Sequence, residues 1–176
     1  MYYRTRTYLA GDWDGDRDMI DQIMEWKRNG YFSLDFTSAH DLMQARDTSL
    51  HCSIKRSLSE RMGASKKFIL IVGEHTNTVT KGGCQDCDSY SSYYKRCYRS
   101  GVVDYRSFVK YECEKAARDY KDGVMDIVVI YNSLSVYREK CPEAVRNIGT
   151  HVAGRSINAY GLSKPDYQII KNAIMN

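Results

Sequence analysis

Spacing marks one carboxylate in this chain for chemistry: Glu112, at the end of the stretch Phe108-Val109-Lys110-Tyr111-Glu112. From Val109, the apolar residues Cys113, Ala116 and Tyr120 recur at helical intervals, and Phe108, Glu112 and Ala116 form the neighbouring ridge. Glu112 is therefore expected at the border of a buried stripe instead of in water. A carboxylate there is costly unless it is paired or used. Two readings stay open on the residues alone: an interfacial glutamate held by a nearby Arg or Lys, and a working acid.

Other groups compete for attention. Gly11-Asp12-Trp13-Asp14-Gly15-Asp16 is an acidic turn after a predicted strand. It lacks the G-x-G-x-x-G spacing, and its carboxylates would repel phosphate. Its alternating aspartates suggest calcium, but Arg17 stands where an EF-hand needs glycine and Ile23 where it needs the closing glutamate. Helix capping and hydrogen bonds to ribose hydroxyls suit it better, with Trp13 either a stacking wall for a base or a half-buried core residue. His40, in the polar loop Thr37-Ser38-Ala39-His40-Asp41, is a hydrogen-bonding candidate or an ordinary loop residue. Cys84-x-x-Cys87 with Cys97 is a partial zinc pattern whose fourth ligand is not evident. No zinc is assigned on it. The chain has no G-x-S-x-G elbow, Walker loop or H-E-x-x-H.

The elements that must position Glu112 follow from periodicity. Thr5–Ala10 reads as a first strand, and Asp16 or Asp18 is expected to cap a helix with apolar face Ile20, Ile23 and Met24, ended by Gly30. Tyr31–Phe36 reads as a second strand. Leu50, Ile54, Leu58 and Met62 are spaced by four, which predicts a helix over Ser49–Met62, stopped by Gly63. Phe68–Val72 and Asp126–Tyr131 are unbroken apolar runs, as for strands covered on both faces in a parallel sheet. The Glu112 helix lies between them, starting near Ser107. Pro142 suggests a short helix, 151–160 an edge strand, and Ile169, Ile170, Ala173 and Ile174 a terminal helix after Ser163-Lys164-Pro165. The alternation predicts an α/β fold, an open parallel sheet between helices, in which ligands bind beyond the carboxyl ends of the strands. The aromatic insert Asp88–Tyr94 is read as a lid over that crevice or as a packed surface loop.

The 176 residues fit one domain. Net charge is +4, and even the densest basic pairs, Lys66-Lys67 and Lys95-Arg96, read as solvated surface, which argues against a nucleic-acid partner. No apolar run approaches the ~20 residues that cross a bilayer, and the first residues lack a signal-peptide core. A cytoplasmic protein without a membrane partner is expected, with its six cysteines free or ligating instead of cross-linked.

Several short blocks, taken in order, resemble the TIR-like proteins typified by the Thoeris antiphage system. They are Thr7–Trp13, Ala39-His40-Asp41, Ser53–Leu58, Phe68–Gly73 and Tyr111-Glu112. The resemblance runs over roughly residues 5 to 135. It implies a flavodoxin-like fold, NAD as the molecule acted on, and cleavage of the nicotinamide–ribose bond to make a cyclic ADP-ribose messenger. In that family a catalytic glutamate often ends a Trp-x-x-x-Glu motif. The matching positions here are Phe108 and Glu112, so the aromatic wall is kept and the indole donor lost. The resemblance makes Glu112 the catalytic residue and Gly11, Asp12, Trp13, His40, Phe108 and Tyr111 the NAD-binding set. It also leaves open a non-enzymatic module that binds itself or other TIR-like domains. Tyr8-Leu9-Ala10-Gly11 resembles nucleoside deoxyribosyltransferases as well, but no second block of that family is present.

Overall fold

In the computed structural model, which describes residues 4–31, 36–38 and 50–175, five parallel strands form the central sheet. They are β1 (Arg6–Ala10), β2 (Phe36–Ser38), β3 (Ser65–Val72), β6 (Asp126–Tyr131) and β7 (Thr150–Ala153), in the order β2-β1-β3-β6-β7. Counted along the sheet's own strands this is 2-1-3-4-5, the flavodoxin-like doubly wound order. The helices are α1 (Arg17–Arg28), α2 (His51–Gly63), α3 (Phe108–Lys121) and α4 (Tyr167–Met175). Two small antiparallel hairpins, β4 (Tyr90–Ser91) with β5 (Arg96–Cys97) and β8 (Arg155–Ile157) with β9 (Ser163–Pro165), stand outside the sheet.

The period of two along the strands splits the interior into two layers. Tyr8, Phe68, Leu70, Val72, Ile127 and Val129 meet α2 and α3 on one face. Leu9, Ile69, Ile71, Val128 and Ile130 meet α1 and α4 on the other. β3 and β6 sit between these layers, which is why both read as continuous apolar runs. The Glu112 helix begins where Ser107 accepts the Lys110 N–H at 3.2 Å, and it runs between them as expected.

Several expectations need correction. Strand β2 falls on Phe36–Ser38, so Thr37 and Ser38, read as loop, pair with Tyr8 and Leu9; residues 32–35 and 39–49 lie outside the described residues. Asp16 occupies the cap position of α1 but does not cap it. Its carboxylate instead accepts from Asn132 Nδ2 at 3.0 Å and from the Thr76 hydroxyl at 3.3 Å, joining the tips of β1, β3 and β6. A Cβ at Gly73 would overlap that carboxylate, which requires glycine there. Lys67 is not solvated surface. It is 7% exposed and donates to the Ile174 carbonyl at 2.5 Å, at the C-terminal end of α4, where a cation is favoured. The edge strand of the main sheet is Thr150–Ala153, and residues 155–157 turn away into a hairpin. Among the described residues no helix is long and apolar enough to cross a membrane.

Candidate active site

Glu112 lies just over one turn into α3, on the face turned toward β1. It is 1% exposed. The Arg or Lys partner expected of an interfacial glutamate is not what holds it: the buried Tyr8 hydroxyl donates to its Oε1. Tyr8 is fixed in turn by stacking on Phe68, with centroids 5.9 Å apart. Burial pushes the Glu112 carboxyl up to about 8, and the Tyr8 hydrogen bond only partly offsets that. The Tyr8 hydroxyl is itself driven upward by burial and by Glu112. At neutral pH the resting side chain is therefore mostly the neutral acid, with one proton to give and a strong bias against carrying charge in this dry setting.

A cavity of about 40 Å³ adjoins it. Gly11, Asp12, Trp13 and Asp14 form one wall, Phe108, Val109 and Glu112 a second, and Val79 and Lys81 a third. Five residues expected to gather at the site, Gly11, Asp12, Trp13, Phe108 and Glu112, are thus brought together at the carboxyl end of β1. Gly11 admits close packing, since a Cβ there would meet Ile71 at 3.2 Å. Asp12 folds back on its own turn, accepting the Asp14 N–H at 3.2 Å. Phe108 supplies the aromatic wall and packs edge-on against His51 at 5.4 Å.

Two expected residues are not in this group. Tyr111 is set apart: one position before Glu112 is about 100° around the helix. It lies under the Arg106 guanidinium at 5.0 Å and lines a separate cavity of about 330 Å³ with Cys52, Lys55 and Asp104. There Arg106 and Lys55 overcome the effect of burial and hold Asp104 at about 2. His40 lies outside the described residues.

The segment 76–83 belongs to the loop after β3, which is expected at this rim of the sheet, and its Val79 and Lys81 close the cavity. Phe108 N–H donates to the Lys81 carbonyl at 2.9 Å, and His51 Nδ1 bonds the Gly83 carbonyl at 2.9 Å. Gly82, at φ +106°, lies flat on the Phe108 ring, where a Cβ would come within 2.5 Å of Cγ. Lys81 and Asp14 pair at 3.6 Å across the mouth. Lys81-Gly82-Gly83 was the available signal, a cation followed by two residues free to turn. The aromatic insert is not a cover for this cavity. Tyr93 and Tyr94 are 85% and 67% exposed, and no residue of 88–94 lines the cavity.

Among the described residues no group of three or more His, Cys, Asp or Glu is arranged for a metal ion. Cys84, Cys87 and Cys97 are buried free thiols, and the Cys84 sulfur accepts the Asp104 N–H at 3.1 Å.

Residues 8–81 match the family model described as Thoeris protein ThsB, TIR-like domain. The matched segment runs from β1 through Lys81, so it includes two walls of the cavity and ends before α3. No curated protein matches the chain.

Proposed function

Taking residues 8–81 as a TIR-like segment of the Thoeris ThsB family, we propose that the protein cleaves the nicotinamide–ribose bond of NAD and releases an ADP-ribose product, cyclic or linear, as a signal in antiphage defence. The observation that carries this reading is Glu112: a buried acid, bonded to Tyr8, at the strand tips and beside a cavity.

The chemistry follows from the charge balance. Nicotinamide in NAD is a cationic leaving group. When its bond to the ribose breaks, the electron pair stays on the ring nitrogen and neutral nicotinamide departs. Positive charge appears on the ribose carbon, as in glycoside hydrolysis. A cation entering the cavity favours ionisation of Glu112, whose proton passes to solvent, and the resulting carboxylate faces the growing positive charge. Water then adds to give ADP-ribose, or a hydroxyl from the adenosine half adds to give a cyclic isomer; either attack releases one proton. Exclusion of water by the 76–83 segment favours the internal attack.

The cavity is small. About 40 Å³ holds roughly one or two waters, so a nicotinamide riboside needs the segment carrying Val79 and Lys81 to move. This closure also favours a second reading, a silent protein that acts by binding other TIR-like domains. The discriminating experiment is incubation of the purified protein with NAD, alone and with extract of infected cells, followed by mass analysis of products. Loss of NAD with appearance of nicotinamide supports the enzyme, and intact NAD in both arms supports the binding module.

A further inference from the structure

Another cavity, of about 530 Å³, is far larger than the one beside Glu112. It lies on the other side of the first turn of α3, where Lys110 and Glu114 point, and Val79 lines both cavities. Thr76 to Thr80 roof it, so one segment covers both spaces. A dinucleotide cannot be held in 40 Å³, whereas a few hundred Å³ is the ordinary size of a small-molecule site.

We propose that this neighbouring cavity takes the adenosine-diphosphate half of the dinucleotide whose nicotinamide half reaches Glu112 past Val79. The assignment rests on the reading of the Glu112 site as an NAD site. Lys110 is exposed, and its ammonium has no ion pair or hydrogen bond among the described residues, so it is free to meet a diphosphate. Arg146 adds a second positive charge, although its Nε and Nη2 are committed to the Cys141 carbonyl. Of the two carboxylates present, Glu114 is neutralised by Arg106 at 2.7 Å. That leaves Glu143 and the Thr80 hydroxyl to meet ribose hydroxyls, with Thr78, whose hydroxyl donates to the His75 carbonyl at 3.0 Å, left to accept. The lining thus offers both kinds of group the ligand needs, cations for the diphosphate and hydrogen-bonding groups for the sugar.

The test is calorimetric titration of the whole protein with ADP, comparing wild type, Lys110→Glu, Lys110→Arg and Glu112→Gln. Lys110 is a surface residue of a helix, so its variants keep the fold. Wild type and Glu112→Gln are expected to bind ADP alike. Lys110→Glu weakens binding by about tenfold or more, and Lys110→Arg restores it. With NAD, Lys110→Glu raises KM by more than it lowers kcat. Absence of ADP binding, or binding indifferent to Lys110→Glu, overturns the subsite. Such a result beside intact NAD cleavage removes only the subsite. Glu112→Gln that still cleaves NAD removes the catalytic assignment and leaves the ADP titration to be judged by itself.

Discussion

The Tyr8 hydroxyl, on the first strand, donates to the Glu112 carboxyl on the third helix, and both groups are buried. This bond joins two elements 104 residues apart in the chain at the point where the sheet opens toward the cavity. It supplies a donor to a carboxyl that burial alone would leave costly to ionise.

Removing the donor therefore has a directional effect. In Tyr8→Phe the carboxyl loses the one interaction among the described residues that favours its charged form, so its ionisation moves further up from about 8. The pH–rate profile of NAD cleavage is expected to shift to higher pH. Stability falls by about 1–2 kcal/mol, because a buried group loses its partner. A profile that stays in place would show that Glu112 does not govern the rate.

Stability should carry the same signature without any substrate. The Glu112 carboxyl is raised on folding from an ordinary 4.5 to about 8, so the folded state holds its proton longer than the unfolded state does. The contribution is fully present below about 4.5 and is lost as pH rises through 8, at up to about 1.4 kcal/mol per pH unit. Glu112→Gln removes this slope. Denaturant unfolding of both proteins across pH 5 to 9, in roughly unit steps, is expected to show wild type losing ground to the variant as pH rises. Parallel curves would contradict the burial of an ionisable acid.

The cover of the cavity depends on a glycine. Gly82 combines φ +106° with contact against Phe108, so Gly82→Ala brings backbone strain and a clash with the ring. The expected cost is about 1–3 kcal/mol in thermal or chemical unfolding, with looser closure over Glu112 and a larger share of linear over cyclic product. Gly101, also at positive φ but with open space around it, is the control: alanine there costs less because it meets no neighbouring atom.

Much of this arrangement was legible in local patterns. The apolar runs of β3 and β6, the four-residue spacing in α2 and the ridge bearing Glu112 follow from periods of two and 3.6, which local sequence carries in full. The pattern overreached at Tyr120, which is 38% exposed near the end of α3 while Ala117 continues the buried stripe. Tyr111 followed the family blocks and not the helix geometry, which turns it toward Arg106. The loop after β3 is expected at the rim, but the pairing of Tyr8 with Glu112, the choice of Val79 and Lys81 as the residues that close the cavity, and the use of Asp16 as a tie between strand tips were not readable. Each depends on which distant segments the sheet order brings together, and no spacing within either partner encodes that.

The most direct measurement is NAD turnover by Glu112→Gln beside wild type, under conditions in which wild type is active, with unfolding curves to confirm that both are folded. The amide keeps the shape and can accept from Tyr8, but it cannot carry negative charge. The account predicts loss of nicotinamide release by a factor of about 100 or more with the fold intact. Wild-type turnover in the folded variant would contradict it.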